Sequence, residues 1–261
     1  MTATRLVTRA DDLGSFSGAT AATIDAHRHG IIRNASLMVP TPWFEDSVAQ
    51  LTDAPGLCLG VHLTMCCEWT HNRWRPVLPA HKLPSVVGAD GCFQRDPLAM
   101  HQAGIVPEQI LAECQAQLDR ARAHGLEIIY ADTHMGWEWM HPLPQGTRMS
   151  ELLSAWCRRN GILWTAGLPV PGLPWVPPVA RTLQGRLLSQ IEVSAPGTYL
   201  HVLHPSLHGT AIAREHLGQG PSGVIAQERV ADWQLGRSAQ LKAELARRGI
   251  ATLRWDALAA A

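Results

Sequence analysis

Few residues of this chain carry charge: 17% are Asp, Glu, Lys or Arg, and 22 basic residues balance 22 acidic ones across 261 residues. A chain without net charge has no sequence-wide attraction for a phosphate backbone or an anionic lipid, so nucleic acid and membrane surfaces are not expected partners. No apolar run approaches the roughly 18 residues of a membrane span, and the stretch 1–14 holds charged residues where a secretion signal needs an apolar core. The six cysteines, Cys58, Cys66, Cys67, Cys92, Cys114 and Cys157, form no CxxC pair. Their spacing suits neither a disulfide framework nor a thiolate zinc site, and a reducing, cytoplasmic setting is expected. Internal repeats and low-complexity tracts are absent as well. The sparse charge is consistent with a surface partly covered by a second copy of the chain, as in a homodimer.

Two aromatic residue types are also scarce, with 2 Tyr and 3 Phe, whereas 13 His and 10 Trp stand out. Histidine is the commonest metal ligand and titrates near neutrality, so its excess is the first functional lead. With 46% apolar residues the chain has enough material for a sizeable core.

Short runs rich in Val, Ile and Leu alternate with segments of helical periodicity, the pattern of an α/β fold with parallel strands. Strands are expected at 5–10, 35–39, 57–63, 126–131, 162–165, 198–203 and 250–254. Helices are expected at 17–29, stopped by Gly30, at 43–51, from Pro107 to a stop at Gly125, at 149–159 and at 182–191. One long C-terminal helix is expected at 226–248, capped by Gly249. Two stretches break the rhythm: 64–106 keeps no periodicity, and 166–180 is rich in proline around Trp175. Both are expected to be irregular loops on the substrate side. With no convincing linker, 1–261 reads as one domain.

Polar groups recur at equivalent positions in this pattern. Asp11 and Asp12 follow the first strand, His62 ends the third, and His134 follows the strand ending near Ala131. In parallel sheets and barrels the carboxyl ends of strands converge on one face, where ligands bind. Two imidazoles and one carboxylate suit a divalent ion and leave positions for water and substrate. A second, unligated carboxylate is then free to take a proton. The strand 198–203 delivers His204, followed by Pro205, to the same rim, where an imidazolium is suited to hand a proton to a leaving group.

Plainer readings exist for each. Asp-Asp-Leu-Gly alone is more often a turn or helix cap, and a histidine in an apolar strand is more often a hydrogen-bonded core residue. Joint occurrence at strand ends favours the ligand reading. Asp132 is either a partner that orients a ligand imidazole or a strand cap. Arg229 and Asp232 read first as a structural i,i+3 pair and second as support for the site. Arg9 is expected to meet solvent rather than pair with Asp11.

The strings Arg9-Ala10-Asp11-Asp12-Leu13-Gly14, Ser36-Leu37-Met38-Val39, Gly60-Val61-His62-Leu63-Thr64, Asp132-Thr133-His134-Met135 and His204-Pro205 stand in an order and spacing that resembles the YdjC-like carbohydrate deacetylases. That family includes chitooligosaccharide deacetylases and is more distantly similar to the polysaccharide deacetylases. Each string is short, but their joint order is specific, and the resemblance runs from residue 5 to about residue 255. It implies a deformed (β/α) barrel of parallel strands with outer helices. It also implies one divalent metal ion, zinc or magnesium, and hydrolysis of the N-acetyl group of an acetylated amino sugar or oligosaccharide with release of acetate. Carried over residue by residue, Asp12, His62 and His134 correspond to the metal ligands, Asp11 to the catalytic base and His204 to the acid. Two His and one Asp favour zinc or a similar transition metal by ligand preference. Many members carry further histidines after the second His ligand, whereas this chain continues Met135-Gly136-Trp137-Glu138-Trp139. Trp69, Trp74, Trp137, Trp139 and Trp175 either stack on a sugar ring or plug their loops onto the core.

Two other readings stay open at this point. One is a metal-dependent amidase or esterase on a non-sugar substrate, since the same site cleaves either acyl bond. The other is a catalytically silent carbohydrate-binding protein, against which the presence of both Asp11 and Asp12 counts, because binding alone needs no unligated base.

Overall fold

In the computed structural model, which describes residues 4–140, 148–177, 182–216 and 220–259, the apolar runs pair into one parallel sheet. Its strands are β1 (Arg5–Leu13), β2 (Asn34–Leu37), β3 (Cys58–Leu63), β4 (Tyr130–Thr133), β5 (Leu163–Trp164), β6 (Thr198–Leu203) and β7 (Ala251–Leu253). The order is β5-β4-β3-β2-β1-β6, with β7 also on β1. β1 pairs with β6 from Arg5 to Ala10, and β7 and β2 take successive parts of its remaining pairing, β7 at Arg5 to Val7 and β2 from Arg9 onward. Beyond Arg5 every residue of β1 is buried, as befits a parallel strand covered on both faces.

The helices are α1 (Ser17–His29), α2 (Phe44–Leu51), α3 (Pro97–Ala103), α4 (Pro107–Ala123), α5 (Met149–Arg159), α6 (Leu183–Val193), α7 (Thr210–Ala213), α8 (Val224–Gly236), α9 (Ala239–Arg247) and α10 (Asp256–Ala259). One face of the curled sheet, with Leu6, Ala10, Leu37, Val61 and Ala131, packs against helix residues such as Ile24, Phe44, Ile110 and Leu118. None of the helices among the described residues is long and apolar enough to cross a membrane.

The other face is layered. Because side chains alternate along a strand, Val7, Arg9 and Asp11 share this face of β1, and Cys58, Gly60 and His62 share it on β3. Its lower layer is apolar, with Val7, Cys58, Tyr130 and Trp255 clustered together. Gly60 lies in register with Tyr130, and a Cβ there would stand 2.2 Å from the Tyr130 ring, so glycine is what lets the tyrosine lie across the sheet. One layer further, His62 lies in register with Asp132. The apolar floor thus gives way to ionisable groups at the carboxyl edge.

Several boundaries differ from the sequence expectation for physical reasons. β1 continues through Asp11 and Asp12 instead of ending at Ala10. β4 begins at Tyr130, so Asp132 is inside the strand. The expected long C-terminal helix is two, because Ser238 caps α9 by accepting from Leu241 N at 3.1 Å, after α8 has ended. Segment 64–106 is not wholly irregular: Asp96 accepts from Ala99 N at 2.8 Å, Pro97 opens α3 and Gly104 closes it with φ 74°. Buried glutamates hold the rest of that segment down. Glu113 accepts from Val77 N and Leu78 N at 2.8 and 2.9 Å, and Glu215 from Thr70 N and Asn72 N at 2.8 and 3.0 Å. In the second expected loop, Leu200 N donates to Pro171 O at 2.8 Å, so this stretch straps the free edge of β6. The rest of that loop, 178–180, lies outside the described residues.

Asn34 joins three strands: its Nδ2 donates to Thr8 O and Leu253 O at 3.0 and 2.9 Å, and its Oδ1 accepts from Trp255 N at 2.8 Å. Asn34→Ala leaves those buried groups unpaired at about 1–3 kcal/mol each. Urea unfolding is expected to report a loss of roughly 3 kcal/mol, and an unchanged midpoint would contradict the clasp. On the helix side of β6, burial holds the His201 pKa down to about 4 from the usual 6.5, and its Nε2 has no partner. Its contribution to stability is complete above pH 6.5 and drains away as pH falls toward 4. His201→Leu is therefore expected to flatten the fall of Tm across that window; a slope equal to that of the wild type would show that His201 is not its cause.

Candidate active site

A regular strand would send Asp11 and Asp12 to opposite faces. Here the pairing of β1 with β2 slips between Ala10 and Leu13, and Asp12 takes a left-handed φ of 59°. This bulge turns two consecutive carboxylates into one cavity. Beyond β4, Met135 and Gly136 are both left-handed, at 62° and 60°, so the chain doubles back after His134. Trp137 returns to the core, where its Nε1 donates to Leu63 O at 3.0 Å. Among the described residues, Asp12 and Met135 are the non-glycine positions with positive φ, and both border this cavity. Strain of about 1–3 kcal/mol at such positions is maintained only where the surroundings fix it.

The cavity holds about 360 Å³ and is lined by Asp11, Asp12, His62, Glu68, His134 and His204, with Trp69 and Arg229 in its wall. At its floor, Asp12 Oδ1 lies 3.3 Å from His62 Nε2 and 3.1 Å from His134 Nδ1. Arg229 Nη1 approaches Asp12 Oδ2 at 2.7 Å. Each imidazole also rests its second nitrogen on a carboxylate: His62 Nδ1 is 2.8 Å from Asp132 Oδ1, and His134 Nε2 is 2.9 Å from Glu68 Oε2. Arg9 binds two carboxylates at once, with Nε and Nη2 on Asp11 at 2.5 and 2.8 Å and Nη1 on Asp132 at 2.7 Å. Ser36 Oγ completes Asp132 at 2.7 Å.

Burial raises the cost of every charge here, so the partners decide which charges persist. For Asp12 burial pushes the pKa up, but Arg229 and His134 outweigh it and hold the carboxyl well below its usual value. Asp132 is lowered too, as Arg9 and His62 outweigh its burial. Burial also disfavours charge on the imidazoles, yet Asp132 and Asp12 push His62 up to about 10, and Glu68 and Asp12 push His134 up to about 9. Four carboxylates, Asp11, Asp12, Asp132 and Glu68, face two guanidinium groups, Arg9 and Arg229. With neutral imidazoles two negative charges remain, the complement of one divalent cation. Donor atoms of Asp12, His62 and His134 lie within 4.8 Å of one another, and one carboxylate with two imidazoles is a set that zinc and similar ions accept. A second group, Asp11, His62 and Asp132, is equally close, but Arg9 already holds both of its carboxylates.

His204 lines the same cavity, its backbone N–H donating to Asp232 Oδ2 at 2.8 Å. Burial lowers its pKa despite the pull of Asp12. Several expectations change. Arg9 does not meet solvent; it is buried between Asp11 and Asp132. Arg229 and Asp232 do not pair with each other, since Arg229 reaches Asp12 while Asp232 caps His204. Asp132 is no strand cap, because its side chain bonds His62. Trp74 and Trp137 are buried and do not line the cavity, so no ring face is open to a ligand. Trp69 is buried but contributes to the wall; Trp139 and Trp175 are 64% and 73% exposed outside it. Glu68 was not anticipated, because it sits in the aperiodic segment with only its closeness to His62 in sequence as a signal.

Arg9→Gln strands two buried carboxylates without their cation. Removing one partner from such a network costs about 3–5 kcal/mol, which equilibrium unfolding at neutral pH is expected to report; a loss below about 1 kcal/mol, the scale of an exposed pair, would contradict the role assigned to Arg9.

Residues 5–188 match the model of the YdjC-like protein family. A protein of Brevibacillus brevis named carbohydrate deacetylase is 35% identical over 130 residues, 50% of this chain and 48% of its own length. A protein of the same name from Enterococcus faecalis is 28% identical over 131 residues, again 50% of this chain and 48% of its own length. The matched chain thus spans about half the length of these curated relatives. Among solved structures, a protein of Enterococcus faecalis described as a cellobiose-phosphate cleavage protein superposes with a TM-score of 0.80 over 99% of both chains at 18% identity, which shows a shared fold. With its model matched across most of the chain, this protein belongs to the YdjC-like family.

Proposed function

We propose that this protein is a metal-dependent carbohydrate deacetylase that removes the N-acetyl group from an acetylated amino sugar and releases acetate. The observation that carries the proposal is the convergence of Asp12, His62 and His134 on one point, with Asp11 and His204 lining the same cavity. The name borne by the curated relatives supports the reaction class. The volume of about 360 Å³ lies at the small end of ligand pockets, which suits one acetamido-bearing ring.

In this reading Asp12, His62 and His134 hold one divalent ion, and two imidazoles with one carboxylate favour zinc over magnesium. Bound there, the ion supplies Lewis acidity toward the amide carbonyl and lowers the pKa of water. Arg9 fixes Asp11 through both oxygens, and the lone pairs it leaves free accept a proton from the attacking water. His204, after taking up a proton, hands it to the departing amine as an imidazolium and returns to the neutral form. Buried Trp69 adds apolar character to the cavity wall.

The test is acetate release from a panel of N-acetylated sugars and N-acetylated amino acids, with metal content measured in parallel. Wild type is expected to act on sugars, and Asp11→Asn to retain its metal while losing at least about 100-fold in rate. Metal-loaded wild type that releases no acetate from any sugar would overturn the proposal. His204→Ala is expected to lower kcat by a similar factor with metal content unchanged; a rate equal to wild type would remove His204 from proton transfer.

A further inference from the structure

The two imidazoles at the cavity floor are held in the same way by different atoms. His62 turns Nε2 to Asp12 and rests Nδ1 on the buried Asp132. His134 turns Nδ1 to Asp12 and rests Nε2 on Glu68. Asp132 comes from the neighbouring strand in register with its histidine. Glu68 instead comes from segment 64–106, just after the bridge that joins Cys66 to Gln94 and just before Trp69, which is itself buried. Its backbone is anchored on both sides, by Cys67 N donating to Gln94 O at 2.8 Å and by Thr70 N donating to Glu215 at 2.8 Å. The side chain is mostly buried, with an exposure of 10%. Trp74, behind the His134 ring at 5.7 Å between centroids, closes off its other side.

We infer that Glu68 is the positioning residue of His134: it accepts the Nε2–H and thereby fixes the tautomer in which Nδ1 carries the lone pair offered beside Asp12. A neutral imidazole has one N–H and one lone pair, so a carboxylate on one nitrogen decides which of the two is free to ligate. The cavity is then built from two histidines of opposite tautomer, His62 ligating through Nε2 and His134 through Nδ1. This inference rests on the metal reading above and adds to it a residue outside the ligand set.

Calorimetric titration of Zn²⁺ into metal-free protein tests it, using wild type, Glu68→Gln, Glu68→Ala and His62→Ala. Loss of a partner that orients a ligand typically costs 10–100-fold in affinity, so Glu68→Ala is expected to bind Zn²⁺ that much more weakly. Glu68→Gln retains an amide oxygen to accept the same N–H and is expected to stay within about 10-fold of wild type. Unchanged affinity in Glu68→Ala overturns the inference. Equal, large losses in both Glu68 variants overturn it as well, since they assign the carboxylate to the metal itself. Failure of wild type to bind Zn²⁺, or binding unaffected in His62→Ala, refutes the metal reading instead. Should Glu68→Ala not fold, ¹⁵N imidazole spectra of Zn²⁺-loaded wild type decide: the His134 proton is expected on Nε2, and a proton on Nδ1 overturns the inference.

Discussion

The fork of Arg9 is the contact on which the rest of the cavity depends. One guanidinium holds Asp11 on one side and Asp132 on the other, and Asp132 in turn holds His62. Taking a carboxylate out of water costs several kcal/mol unless its partners are well placed, and here three acidic residues of the sheet edge are buried together. Arg9 stands where two anions would otherwise repel, and Arg229 pairs with a third, Asp12. They neutralise half of the four carboxylates and no more. The remaining charge falls to the imidazoles or, in the proposed function, to a bound cation.

The backbone has been shaped around this demand. An apolar floor of Val7, Cys58, Tyr130 and Trp255 supports the charged layer from below. Above it, a bulge with left-handed Asp12 and a reversal at Met135 bring side chains of β1 and β4 into one space that regular strands would divide. Buried Glu113 and Glu215 then tie segment 64–106 over the rim, which carries Glu68 and Trp69 inward.

The alternation of apolar runs made the parallel sheet legible, because β1 to β4 are buried almost throughout and helices such as α4 and α5 bury one stripe. The strand-end positions of Asp11, Asp12, His62 and His134 followed from that alone. What escaped had specific causes. The long C-terminal helix was misjudged because Ser238 is an unremarkable residue until it caps α9. Arg9 looked solvent-facing because local sequence cannot reveal a partner as distant as Asp132. Glu68 has no periodic context, and its role depends on a loop tied down by a glutamate almost 150 residues further along, Glu215. The tryptophans divided according to chain direction: the reversal after His134 buries Trp137 and leaves Trp139 in solvent.

The central claim is that Asp12, His62 and His134 form a cradle for one divalent cation, left open by two arginines among four carboxylates. Anomalous diffraction from crystals soaked in Zn²⁺ measures it directly. The account predicts one dominant peak in contact with Asp12, His62 Nε2 and His134 Nδ1. A dominant peak elsewhere, or none within reach of these three side chains, would contradict it.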